Sequence, residues 1–383
     1  MKQKIYSFIE FYRFSKTDNM QKRFINDYNV SLLGMGCMRL PMNNEEIDYE
    51  KTEEMIDLAY KSGINYFDTA YPYHMGKSET VIGNILKKYP RDSFYLADKM
   101  PIWNCKSLED VKKIFNEQLE KCQVEYFDFY LCHAMNIDRL EEYKKYDAFN
   151  FLVEMKKEGK IKNLGFSFHD AAQNILPIIK EVDWDFAQIQ FNYLDYDMQD
   201  AKKQYELLTE NNISVVVMEP VRGGMLANVC DEATNLFKTA RPNMSIASWA
   251  LRYVASFSNI KVILSGMSNM EQLQDNINTF TNYEELTEQD KEVIQKAKKA
   301  ILGNNFVPCT SCKYCMPCPM GINIPRTFAI YNVYGINKDI DRFRKALSNN
   351  PVELDVCVKC GACVSQCPQK IDIPSKLEEI NSL

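Results

Sequence analysis

The chain has 383 residues, 46% hydrophobic and 26% charged, with 46 Lys and Arg against 52 Asp and Glu for a formal charge of −6. That length suits one large domain with one small one, and the net negative charge argues against nucleic acid as a partner, because phosphate binding needs a basic surface. No apolar run approaches the roughly 20 residues a membrane helix requires, so no membrane partner is expected.

The stretch from Ile5 to Phe14 is apolar but broken by Glu10 and Arg13 and lacks a small-residue cleavage site, which makes it a poor export signal. A cytoplasmic protein is expected, and residues 1–19 are set apart as an N-terminal extension. Eight short runs rich in β-branched and aromatic residues follow: Ser31–Gly36, Asn65–Ala70, Phe94–Met100, Asp128–His133, Asn163–Phe168, Phe186–Asn192, Ser214–Pro220 and Val262–Met267. Between them, stretches such as Thr52–Ser62, Leu108–Cys122 and Ala201–Asn211 place apolar residues at three- and four-residue steps. Continuous apolar strands alternating with amphipathic helices predict parallel strands covered by helices, and eight such units close into a (β/α)8 TIM barrel over 20–283. The rival, a doubly wound open sheet, is disfavoured because no GxGxxG follows the first strand. A charged helix within 284–304, stopped by Gly303-Asn-Asn, connects the barrel to a second domain over 305–383.

That second domain holds eight of the thirteen cysteines, as Cys309-Thr-Ser-Cys312-Lys-Tyr-Cys315-Met-Pro-Cys318-Pro319 and Cys357-Val-Lys-Cys360-Gly-Ala-Cys363-Val-Ser-Gln-Cys367-Pro368. Three cysteines at three-residue steps direct three thiolates at one cluster, and the fourth, followed by proline, is carried to the other. The spacing therefore predicts two 4Fe-4S clusters with crossed ligands: Cys309, Cys312 and Cys315 with Cys367, and Cys357, Cys360 and Cys363 with Cys318. Pro319-Met-Gly-Ile322-Asn-Ile324-Pro325 matches Pro368-Gln-Lys-Ile371-Asp-Ile373-Pro374 in spacing, the repeat of a ferredoxin-like dicluster domain. Structural zinc takes paired CxxC knuckles and fits two runs of four poorly, and cysteines so close on tight turns do not readily form disulfides. The first run has one residue fewer before its last cysteine, so the two cluster environments differ.

Active sites of parallel barrels lie at the C-terminal strand ends, where Asp68, Lys99 and His133 close the second, third and fourth runs and Tyr73 follows five residues after Asp68. Singly these read as a helix cap, a rim charge and a core histidine. Together they make a proton-transfer constellation: a phenol can protonate the oxygen of a carbonyl under reduction, provided its pKa is lowered, and a buried ammonium beside it does that while a carboxylate keeps the ammonium charged. With Phe67-Asp-Thr-Ala-Tyr-Pro-Tyr73, Glu79-Thr-Val-Ile-Gly83 and Tyr130-Leu-Cys-His133 in order, residues 20–283 resemble the aldo-keto reductase family, and the whole chain is similar to the subgroup with a fused 4Fe-4S domain.

The resemblance implies Asp68, Tyr73, Lys99 and His133 as the catalytic tetrad, with His133 orienting the substrate oxygen. It further implies Ser167, beside Phe168, and Gln188 as nicotinamide contacts, and Ser265, Gly266, Ser268, Gln272 and Asn276 as the phosphate loop. Met218 stands where many members stack an aromatic on the nicotinamide. No Lys or Arg lies between Ile263 and Asn276 to meet a 2′-phosphate, so NADPH is not favoured over NADH. Arg222 reads equally as a pyrophosphate contact or a surface charge. Trp103, His74 and Met75 read as loop packing with pocket lining as the alternative, His169 is evenly balanced, and Cys37, Cys105, Cys122, Cys132 and Cys230 read as small apolar residues.

The sequence thus predicts an NAD(P)-dependent oxidoreductase that interconverts a small carbonyl compound and its alcohol, with a module for electron transfer that could meet a redox protein partner. Hydride carries two electrons and each cluster accepts one, so a flavin-linked enzyme with FMN on the same phosphate loop is a rival. A nicotinamide-sensing binding protein with structural clusters is a second.

Overall fold

The computed structural model describes residues 20–303, 306–307, 309, 315–367 and 371–383. Within it the chain forms two compact units, one of residues up to Gln190 with Lys203–Pro220 and Val254–Glu285, the other of Phe191–Lys202, Val221–Tyr253 and Leu286–Leu383.

The first unit holds a closed barrel of eight parallel strands: β1 (Leu33–Gly36), β2 (Tyr66–Asp68), β3 (Tyr95–Met100), β4 (Phe127–Met135), β5 (Ile161–Phe168), β6 (Phe186–Gln190), β7 (Ser214–Met218) and β8 (Ile260–Ser265). Each pairs with its neighbours in chain order, and β8 returns to β1 through Ser265 opposite Met35. Every predicted run overlaps its strand, though β4, β5 and β8 begin one or two residues earlier than expected and β4 runs on to Met135. The interior is filled by Tyr66, Ala97, Phe129, Leu131, Phe186, Val216, Val262 and Leu264, one or two from most strands, and Ile25 and Val30 join them. Those last two come from a hairpin, Lys22–Ile25 with Tyr28–Ser31, turned at Asn26 with φ of 50°. Its Tyr28 meets Tyr95 and Phe129 edge-on, so the hairpin plugs the N-terminal mouth and leaves the opposite end for chemistry.

Helices α1 (Tyr49–Lys61), α2 (Ser78–Leu86) and α3 (Leu108–Cys122) follow the first three strands. Asp48 and Ser107 cap α1 and α3 by accepting from Lys51 N and Asp110 N. A Cβ at Gly83 would lie 2.6 Å from the Cys122 backbone, so only glycine lets α2 approach α3 that closely. This approach places Glu79 of α2 against Gln118 and Lys121 of α3, each at 3.0 Å.

The second unit contains α4 (Glu288–Leu302), α5 (Ile324–Asn337) and α6 (Ile373–Asn381). Thr287 and Asp290 form a reciprocal capping box at the start of α4. The two Ile-x-Ile-Pro repeats have one structural meaning: Asn323 caps α5 and Asp372 caps α6, proline occupies the first turn of each, and Ile322, Ile324, Ile371 and Ile373 are all buried in one core. That core gathers Phe328, Tyr331, Phe343, Leu354, Leu377 and Ile380, with Cys309, Cys315, Cys318, Cys357, Cys363 and Cys367 packed on it. Among the described residues no helix is long and apolar enough to cross a membrane.

Candidate functional site

Asp68 is the last residue of β2, Lys99 the penultimate residue of β3, and both are buried. Lys99 Nζ donates to Asp68 Oδ1 at 2.6 Å, to the Thr69 carbonyl at 2.7 Å and to Tyr73 Oη at 3.3 Å, and lies 4.8 Å from the centre of the Tyr73 ring. Tyr73 opens a short 3-10 turn in which His74 and Met75 both take left-handed φ, near 51° and 55°. The turn is held by His74 Nε2, which accepts Leu40 N–H at 3.2 Å, while Met75 is exposed. His74 is thus a packing residue, as the first of its two readings had it. Gln188 of β6 donates from Nε2 to the other Asp68 oxygen at 3.2 Å, so the carboxylate is held from two sides.

Burial opposes the charge on Lys99, yet Asp68 and Tyr73 together raise its pKa. Asp68 is pushed up by burial and pulled back by Lys99. The 2.6 Å contact and the second carboxylate bond from Gln188 support ammonium with carboxylate as the state of the pair. For Tyr73 the sequence reading requires correction in sign: burial raises the phenol, Lys99 lowers it, and burial prevails. The phenol is therefore held protonated, which is the state a proton donor starts from.

His133 lies near the end of β4 with its ring 6.2 Å from that of Tyr73 at 83°. Burial, and then the positive charges of Lys99, His169 and Arg139, hold its imidazole well below its ordinary pKa, so it is neutral. Its Nδ1 is buried without a hydrogen-bond partner. The Trp103 ring packs 4.9 Å from it, which puts Trp103 at the site and not simply in a loop. Beyond His133 the strand bulges: Cys132 pairs with Phe166 but Met135 pairs with Phe168, and Ala134, with φ of 52°, is the extra residue. Its N–H donates to Ser167 Oγ at 2.7 Å, so that hydroxyl is oriented by the bulge.

A second layer lies behind Lys99. Gln118 Nε2 donates to the Lys99 carbonyl at 3.0 Å, Tyr130 Oη donates to Gln118 Oε1, and Asp98 Oδ1 accepts Lys99 N–H at 2.8 Å. Asp98 is fully buried, and burial with the nearby Glu79 charge raises its carboxyl far above the usual range.

At the end of β8, Ser265 Oγ accepts from Asn276 Nδ2 at 2.8 Å, Gln272 Oε1 accepts from Ser268 N–H at 2.8 Å, and Asn269 caps the helix Met270–Thr281. The loop after β1 adds what the sequence reading missed. A Cβ at Gly266 would lie 3.1 Å from Arg39 Cδ, so the Arg39 stem rests on the loop that lacks its own cation. The sequence carried no signal for this, since Arg39 is far from the loop in the chain. Met218 ends β7 and is half-buried. Arg222 belongs to the second unit, where its Nε is 3.1 Å from the buried Asp195 carboxylate. A hydroxyl and an amide at the strand ends, and a helix N-terminus with the Arg39 stem beside its loop, are groups that can hold a nicotinamide nucleotide.

In the second unit, Cys315, Cys318, Cys357, Cys360 and Cys363 line one cavity of about 160 Å3. Burial raises the Cys363 thiol, and Cys360, Cys357 and Cys318 are the neighbours whose charges push it the same way. Cys318, together with Cys315, thus shares this cavity with three cysteines of the second run. Thiols arranged around a cavity are a donor set that a 4Fe-4S cluster, with its iron atoms spread over a cube, can take. Cys312 lies outside the described residues.

The sequence model of the Aldo/keto reductase family matches residues 32–299. The chain belongs to the aldo/keto reductase family. A second model, the 4Fe-4S dicluster domain, matches residues 308–371, so an aldo/keto reductase barrel is joined here to an iron-sulfur domain. Among relatives, an uncharacterized oxidoreductase of Bacillus subtilis is 26% identical over 73% of this chain and 97% of its own length. The NADH-specific methylglyoxal reductase of Escherichia coli is 26% identical over 66% of this chain and 90% of its own. An aldo-keto reductase of Bacillus halodurans, solved in its holo form, superposes with a TM-score of 0.59 at 26% identity, covering 73% of this chain and 96% of that one. The protein is accordingly an oxidoreductase of the aldo/keto reductase type.

Proposed function

We propose that the barrel reduces a small carbonyl compound to its alcohol, or runs the reverse, with a nicotinamide nucleotide and with Tyr73 as the proton donor. The observation that carries this reading is the Lys99 ammonium, bound to Asp68 at 2.6 Å and facing Tyr73 Oη at 3.3 Å. A nicotinamide nucleotide, when bound, would supply the hydride. As charge grows on the substrate oxygen, Tyr73 gives up its proton, and Lys99 stabilises the phenolate left behind. Neutral His133 donates a hydrogen bond to the same oxygen and fixes its direction, which a protonated imidazole repelled by Lys99 would not do as well. Gln188 and Ser167 would hold the nicotinamide amide, and Ser265, Gly266, Ser268, Gln272 and Asn276, with Arg39 from the turn after β1, would hold the phosphates.

In the iron-sulfur domain, Cys309, Cys312, Cys315 and Cys367 are proposed as one ligand set and Cys357, Cys360, Cys363 and Cys318 as the other; all four of the second set line one cavity, which Cys315 of the first set also borders. The test is nucleotide oxidation by the anaerobic, cluster-loaded protein over a panel of aldehydes and ketones, with alcohol formation measured in parallel. Tyr73→Phe should lower turnover by about 10²-fold or more, since general acid catalysis contributes roughly 10²–10⁴. Turnover that survives this substitution would remove Tyr73 from the mechanism. Retention of FMN with no nicotinamide binding would turn the reading toward a flavin enzyme.

A further inference from the structure

Arg139 has no part in the scheme above, and its surroundings bear on what the substrate carries besides a carbonyl. It sits in the first turn of the helix Ile137–Lys145, whose cap is Asn136. Its Nη1 donates to the carbonyl of Ala134, the residue that adjoins His133 and forms the strand bulge. Its Cζ lies 4.6 Å over the Trp103 ring, and that ring is 4.9 Å from His133. The guanidinium is thus fixed from two directions, by a carbonyl at one edge and an indole at one face. Arg139 is half-buried and makes no ion pair among the described residues. A guanidinium presents five donors, and among the described residues the Ala134 carbonyl takes one of them, which leaves a fork suited to a carboxylate. Its charge reaches the site, for it contributes to the depressed pKa of both His133 and His169.

We infer that Arg139, stacked on Trp103 beside His133, receives the carboxylate of the substrate, so that the preferred substrates are aliphatic oxo acids whose carbonyl reaches Tyr73 and His133. The indole packs against both the cation and the histidine, so the carboxylate belongs several bonds from the carbonyl, with the intervening methylenes on the Trp103 ring. This rests on the carbonyl-reductase reading and names its substrate class.

The probes are 4-oxobutanoate and its methyl ester, which share the aldehyde and chain length and differ in charge. With the anaerobic full-length protein and saturating NADH, kcat/KM for the acid should exceed that for the ester by about 10–100-fold, the range set by a charge-assisted pair of roughly 1.5–3 kcal/mol. Arg139→Ala should collapse that ratio toward one, and Arg139→Lys should restore part of it, because an ammonium keeps the charge without the fork. A wild-type ratio near one, or a ratio unchanged in Arg139→Ala, overturns the inference. Calorimetric titration of 4-oxobutanoate separates this outcome from failure of the enzymatic reading. If neither compound is reduced but the acid binds and Arg139→Ala weakens it about tenfold, the anion site stands and the reductase reading falls. Equal binding of acid and ester by the wild type sinks the anion site whatever the turnover.

Discussion

Replacing Asp68 by Asn keeps the shape of the side chain and removes its charge, which isolates what the buried pair does. Lys99 and Asp68 are both buried and 2.6 Å apart, so at an effective dielectric of about 20 their attraction is about 6 kcal/mol. Desolvation offsets part of this, and breaking such a pair by removing one member costs about 3–5 kcal/mol, because the other charge is left buried. In Asp68→Asn, Lys99 loses its charged partner, and the new amide must aim its NH2 at either Lys99 or the Gln188 donor. Lys99→Met strands Asp68 instead, with a similar cost. The double variant leaves no buried charge, so its loss should fall below the sum of the single losses by at least about 2 kcal/mol, a coupling within the range of contacting residues. The assay is anaerobic urea unfolding followed by tryptophan fluorescence. Turnover should be down by about 10²-fold or more in all three variants, since none keeps a cation held beside Tyr73. Additive losses in the double variant, or a Lys99→Met protein as stable as the wild type, would show that the pair is not an ion pair.

Three further outcomes follow from the site. The loaded protein should contain about eight iron and eight sulfide per chain, and Cys318→Ser and Cys357→Ser should alter the same paramagnetic resonance signal while Cys367→Ser alters the other; one signal lost in all three would break the crossed assignment. NADPH should bind no more than about a hundredfold better than NADH, a limit of about 2.7 kcal/mol, and Arg39→Ala should weaken both nucleotides alike if Arg39 meets the phosphates they share. Because His133 is held below its ordinary pKa, the unfolded chain gains a proton that the folded one refuses as pH falls through about 6.5, so stability is lost there. The His133→Gln variant should therefore gain on the wild type in urea midpoint between pH 7.5 and about 5.5, and a constant difference would contradict the buried neutral imidazole.

The barrel could be read because its strands are apolar on both faces. A run such as Phe127–Met135, buried nearly throughout, has few other homes. The Asp68, Tyr73, Lys99 and His133 constellation was legible for a related reason, since strand ends are recognisable and Asp68, Lys99 and His133 each lie at or near one. What escaped was everything that depends on chain segments meeting. Arg39 on Gly266, Arg139 on Trp103 and Arg222 on Asp195 join residues from separate segments of the chain, and no spacing announces such pairs. The sign of the Tyr73 shift also escaped, because it is a contest between burial and one ammonium, and burial is a property of the folded molecule. The N-terminal hairpin had a local signal, Asn26-Asp27 between Lys22–Ile25 and Tyr28–Ser31, that is weaker than Asn-Gly and easily passed over.

The bulge at Ala134 has a bearing on how this barrel tolerates change in length. Strand residues alternate faces with a period of two, so one extra residue exchanges the faces for all that follows it in the strand. Deleting Ala134 would leave β4 able to pair with β5 along most of its length, from Phe127 opposite Ile161 to Cys132 opposite Phe166. Downstream of that point the inward and outward sets would trade places, Ser167 would lose the N–H that orients it, and Arg139 would lose the carbonyl that anchors it. A closed barrel with a scrambled rim is the expected product, so this single codon separates the part of the strand that serves closure from the part that serves chemistry.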